Sequence, residues 1–106
     1  MLENLTSGSF AAHKNTAFRM SLPGGGTLRL DLVDVEEREN SPKLEQFSIT
    51  FRGPATPVCP QQIYRLEHEK LGVMELFLVP LGPDGAGMLY QSCFNRLRKS
   101  GGAAPP

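Results

Sequence analysis

His13 and His68 are the only histidines of the chain, and Cys59 and Cys93 its only cysteines. Any acid–base or nucleophilic chemistry has to be built around these four. A reactive thiol needs an imidazole within hydrogen-bond reach, or cationic neighbours that lower its pKa. Neither cysteine has a His or a basic cluster beside it in sequence. Cys59 stands between Val58 and Pro60 in a turn-rich stretch and reads as a loop residue, whereas Cys93 stands in an apolar strand run and reads as a small core residue. HExxH, CxxC and triad patterns do not occur. One constellation remains: Tyr64 and His68 share a strand face, and with Cys93 they would line the pocket of a ligand-binding barrel or a small enzyme. The alternative is that all three are structural.

Other chemistries fare worse. Glu36, Glu37 and Glu39 form an acidic run, but no matching Asp or His set accompanies it, so it reads as a solvated hairpin end and no metal is expected. Gly24, Gly25 and Gly26 are followed by a strand pattern, whereas a phosphate cradle opens a helix, and no cofactor is expected. Arg96, Arg98 and Lys99 make a short basic cluster next to a Gly/Pro-rich end. Eleven basic and 11 acidic residues cancel, which removes the electrostatic argument for nucleic acid or an anionic membrane. The aromatic residues fall at inward strand positions instead of forming an exposed stacking platform. No apolar run approaches a membrane span. The start, Met1-Leu2-Glu3-Asn4-Leu5, lacks the basic region and apolar run of a secretory signal. A cytoplasmic location is therefore the expectation, and an extracellular assembly would need another route. A reducing compartment also argues against a Cys59–Cys93 disulfide.

The elements that must position these residues are strands. Thr16 to Leu22 alternates, with Phe18, Met20 and Leu22 on one face; Thr27 to Glu37 follows, with Leu28, Leu30 and Leu32 inward. At Leu32-Val33 the alternation slips by one residue, which predicts a β-bulge, after which Val33 and Val35 face inward. Residues Glu36 to Lys43 read as a charged loop. Gln46 to Arg52 puts Phe47, Ile49 and Phe51 on one face, and three prolines between Gly53 and Pro60 make a stiff connection. Gln61 to Glu69, Val73 to Leu81 and Met88 to Asn95 complete six strands, joined at Gly72 and at Pro83-Asp84-Gly85, where Gly72 and Gly85 are expected at positive φ. Gly53 is expected to allow a tight exit before Pro54. Thr6 and Ser7 can cap a short helical turn that buries Leu5 and Phe10. The fold class is all-β: a six-stranded antiparallel sandwich or small barrel with a short N-terminal helical turn. A single domain spans 1–96, and 97–106 reads as a disordered tail.

One strand carries apolar residues on both faces. Met74, Leu76 and Leu78 point one way and Val73, Phe77, Val79 and Leu81 the other, with Glu75 the single charge. A strand with two apolar faces has to be covered twice, by its own chain or by another. Met74, Leu76, Phe77, Leu78 and Val79 are accordingly the candidate partner interface of a non-enzymatic module that packs against protein partners or against itself.

Several strings in order carry a resemblance: Leu5 with Phe10, Phe51-Arg52-Gly53-Pro54, Pro60-Gln61-Gln62-Ile63-Tyr64, and His68 with Leu71-Gly72. Leu76-Phe77-Leu78-Val79-Pro80 and Tyr90 with Phe94-Asn95-Arg96 complete the set. It resembles a family of short bacterial all-β proteins classed as a domain of unknown function. The resemblance implies genes beside phage-tail-collar-type fibre proteins, hence a place as an accessory or terminal subunit of a tail-like or fibre assembly. It carries no catalytic residues.

Overall fold

The computed structural model describes residues 5–85 and 87–97. Helix α1 (Ser7–Ala11) precedes six strands: β1 (Ala17–Ser21), β2 (Thr27–Asn40), β3 (Leu44–Pro54), β4 (Gln62–His68), β5 (Gly72–Asp84) and β6 (Gly87–Leu97). They form one antiparallel sheet that closes into a barrel in the order β1-β2-β3-β6-β5-β4. Closure rests on a short β1–β4 ladder, Arg19 with Glu67 and Met20 with Leu66. The inward positions follow the period of two: Phe18, Met20, Leu30, Leu32, Phe47, Ile49, Phe51, Leu66, Leu78 and Tyr90 are sealed from solvent.

The slip in β2 is a register shift between Leu32 and Asp34. Val33 is the extra residue, and Val35, opposite Ile49, resumes the inner face. The expected charged loop 36–43 is shorter than its composition suggests. The β2–β3 ladder runs on to Asn40 opposite Glu45, through a second register shift between Glu37 and Glu39. Charged side chains do not break a ladder whose face is solvated, because the backbone still pairs. Pro83 and Asp84, expected in a turn, likewise still pair with Met88 and Gly87.

Gly72 (φ 87°), which opens β5, and Gly85 (φ 62°), which follows it, both hold the left-handed conformation of a turn. Gly53 differs from expectation. It lies buried within β3, and a Cβ there would fall 2.6 Å from the Leu30 side chain. Its lack of a side chain serves close packing inside the barrel, not a turn.

Helix α1 plugs the open inner face of the extended β2–β3–β6 sheet. Thr6 is its N-cap: the Ser9 amide donates to Thr6 Oγ1 (3.2 Å) and the Thr6 amide donates to Ser9 Oγ (3.0 Å). The helix packs Phe10 against the stacked pair Phe47 and Phe94, ring centroids 6.1 and 5.6 Å away. Arg96 locks the plug. Its guanidinium lies over the Phe47 and Phe94 rings, pairs with the buried Glu45 carboxylate at 3.0 Å and donates to the Leu5 carbonyl. The Ser7 amide donates to Glu45 (3.4 Å) and the Ser7 hydroxyl to Glu37 (3.0 Å). Arg96 is thus committed to the fold. Arg98 and Lys99, with residues 98–106 of the expected tail, lie outside the described residues, while Leu97 ends β6.

Candidate partner interface

β5 changes neighbours along its length. Gly72 to Leu78 pair with β4, and Val79 to Asp84 pair with β6. Its inward residues Met74, Leu76 and Leu78 are 3, 2 and 0% exposed and belong to the barrel core. These three members of the candidate interface are therefore covered by the chain itself. The other two, Phe77 and Val79, point outward. Phe77 is 50% exposed, Val79 half-buried, and Val73 is 43% exposed. Leu81, at the register shift between Pro80 and Gly82, is 51% exposed. Phe10 of the N-terminal helical turn does not cover this face, since it sits on Phe47 and Phe94. So the second apolar face of β5 stays open among the described residues.

A residue missed in the sequence enlarges it. Ile63 lies directly opposite Phe77 in the β4–β5 ladder and is 63% exposed. Paired strand positions bring their Cβ atoms to about 5 Å, so Ile63 and Phe77 form one apolar row. The signal was present, an Ile on the otherwise charged face of Arg65 and Glu67, but its significance depends on register. The next row is Arg65 opposite Glu75, and the next Glu67 opposite Val73. Arg19 holds Glu67 at 3.2 Å and Arg65 reaches the same carboxylate at 3.9 Å. Glu75 makes no ion pair among the described residues.

The alternative pocket does not assemble. Tyr64 and His68 do share the inner face of β4, but four residues of strand separate them by about 13 Å. Cys93 points outward on β6, beside Gln91. The two cysteines have exchanged the expected places: Cys93 is exposed, and Cys59 is 4% exposed under the proline-rich connection. That connection must cross the end of the barrel, because β3 and β4 are not neighbours. Tyr90 and Tyr64 tie it down. The Cys59 amide donates to the Tyr90 hydroxyl (2.9 Å), and the Tyr64 hydroxyl donates to the Pro60 carbonyl (2.6 Å). Burial raises the pKa of both phenols, so they remain neutral donors and acceptors.

His68 organises the opposite end. Its Nδ1 accepts the amides of Lys70 (2.9 Å) and Leu71 (3.1 Å), which shapes the β4–β5 turn. With Nδ1 an acceptor, the proton sits on Nε2, which donates to the Thr16 hydroxyl (2.9 Å); Thr16 in turn donates to the His13 carbonyl (2.5 Å). Its pKa is lowered, first by burial and next by His13, whose ring lies 4.8 Å away, while Glu69 acts the other way. A shallow groove beside it is lined by Phe18, Arg19, Arg29, Glu67 and Val73 among others, and includes neither Tyr64 nor Cys93. Every nitrogen of this imidazole is committed to the fold.

Among the described residues no three His, Cys, Asp or Glu side chains are placed to hold a metal ion, and no helix is long and apolar enough to cross a membrane. Neither a curated protein nor a solved structure matches the chain. The match lies with a family model, the Domain of unknown function (DUF6916), which covers residues 5–94, from Leu5 beneath Arg96 to Phe94 against the helical plug; the chain belongs to that family.

Proposed function

We propose that this protein is a non-enzymatic interaction module whose working surface is the outer face of β4 and β5. One observation carries the proposal: Ile63 on β4 and Phe77 on β5 stand side by side, exposed, while β5 buries Met74, Leu76 and Leu78 on its reverse. Solvent-facing positions of an antiparallel sheet are normally polar. Lone exposed apolar residues are ordinary, but Ile63 and Phe77 adjoin, with Val79 and Leu81 further along β5 and Val73 beyond the Arg65–Glu75 row, and such a cluster supports a surface that meets another protein. Burying a side chain such as Ile63 or Phe77 contributes about 1.5–3 kcal/mol each. The setting that fits the family resemblance is a tail-like or collar-type fibre, in which small β modules stack on protein neighbours.

Photo-crosslinking tests the surface. A benzophenone side chain at position 77, and separately at the exposed position 29 on β2, is activated in cells making the protein. Protein adducts from position 77 in clear excess over position 29 are expected. Equal or absent adducts at position 77 would remove the β4–β5 face as a working surface.

A further inference from the structure

The partner that fits this face is a second copy of the same chain, and we infer that the protein forms a two-fold dimer through β4 and β5. The inference rests on the packing proposal above and deepens it by naming the occupant. The β4–β5 register makes the face complementary to itself. Three rows cross the face: Ile63 with Phe77, Arg65 with Glu75, and Glu67 with Val73. A two-fold axis lying in the interface, parallel to the strands and midway between β4 and β5, sets each β4 over the β5 of the other copy at the same height. Ile63 then meets Phe77 of the second copy, and Phe77 meets its Ile63. Arg65 meets Glu75 of the second copy, and Glu75 meets its Arg65. An isologous contact requires this reciprocity, and these two pairs, one apolar and one of opposite charge, are complementary in both directions; Glu67 over Val73 is not.

The charges support this occupant over an unrelated one. Glu75 stands between the exposed Val73 and Phe77 with no ion pair among the described residues. Arg65 lies across the ladder from it, yet leans 3.9 Å from Glu67, whose carboxylate Arg19 already holds at 3.2 Å. The second copy supplies Glu75 with a guanidinium and frees Arg65 from a shared acceptor. The third row is the rim: Glu67 remains with Arg19 and contributes little. Twisted sheets pack face to face with their strands roughly 30° apart, so the strands of each copy lean about 15° from the axis. Two strands make a smaller interface than the roughly 800 Å² per partner found in stable complexes. The expected dissociation constant is therefore about 1–100 μM.

Light scattering on the full chain across that range reads the outcome, with circular dichroism and melting curves on each variant to establish folding. Wild type is expected to shift from monomer to dimer with concentration. Arg65→Glu places two carboxylates on each copy and Glu75→Arg two cations, so each variant alone faces itself with like charges. Each should weaken self-association by about tenfold or more. Mixed one to one, the two variants should dimerise again, because every carboxylate now meets a cation. Wild type that stays monomeric at several hundred micromolar overturns the dimer. So do folded single variants that dimerise like wild type, or a mixture that stays monomeric. Adducts from position 77 to a different protein, with wild type monomeric, would leave the packing proposal standing and remove only the second copy. Failure of crosslinking at position 77 would remove both.

Discussion

The two faces of β5 have nearly the same composition and opposite fates. Met74, Leu76 and Leu78 are sealed inside the barrel, while Val73, Phe77 and Leu81 remain about half exposed. In hydropathy only Glu75, on the outer face, distinguishes them. Their difference arises from curvature: a closed sheet has one interior, and only one face of each strand can enter it. The inner face is therefore accounted for by stability, and the outer face is the surface that the proposal above assigns to a partner.

The largest expected effect sharpens that contrast. Leu76→Ala removes buried volume with no means of collapse and should cost about 2–5 kcal/mol in a urea unfolding experiment. Phe77→Ser, one residue away, should change the stability of the dilute monomer by no more than about 0.5 kcal/mol. A Phe77→Ser loss approaching that of Leu76→Ala would mean that the outer face is covered within the chain.

His68 is the inner-face residue of β4 where polarity replaces packing, and its effect should be intermediate. His68→Gln leaves the Lys70 and Leu71 amides without their Nδ1 acceptor and should cost about 1–3 kcal/mol near pH 7.5. The folded-state pKa is lowered from the ordinary 6.5, so the unfolded chain binds the proton first as pH falls. This contribution is fully present above about pH 6.5 and is lost as pH drops through the lower, folded value. Melting curves from pH 7.5 to pH 5 should fall more steeply for wild type than for His68→Gln. Parallel curves would show that the imidazole is not held neutral.

The smallest effect is a difference in rate. A thiol reagent should modify Cys93 on the outer face promptly, and Cys59 only as the barrel opens. Prompt reaction of both would mean that the proline-rich connection is not seated beneath Tyr90.

Much of the fold was legible residue by residue. Alternation located all six strands and put Phe18, Phe47, Ile49 and Phe51 on inward faces, but on β6 it left the inner face undecided between Tyr90 and Cys93. The one-residue slip at Leu32-Val33 announced a bulge, and Thr6 announced the cap of α1. Strand ends were less legible. Glu36 to Asn40 and Pro83-Asp84 have loop-like side chains but backbones that still pair with a neighbour. The candidate site was half legible, since the doubly apolar character of β5 was evident but its inner and outer halves were not separated.

Periodicity is a local property, so the sequence by itself determined strand identity, facing and the places where the chain turns. Closure, register and cover are contacts between distant residues, and only the tertiary structure decided them. Tyr90, 31 positions away, is what buries Cys59. The order β3-β6-β5-β4 is what leaves the outside of β5 open. The register is what places Ile63 beside Phe77 and Arg65 beside Glu75. A period of two says which side chains share a face; which of the two faces becomes the inside depends on how the whole sheet curves.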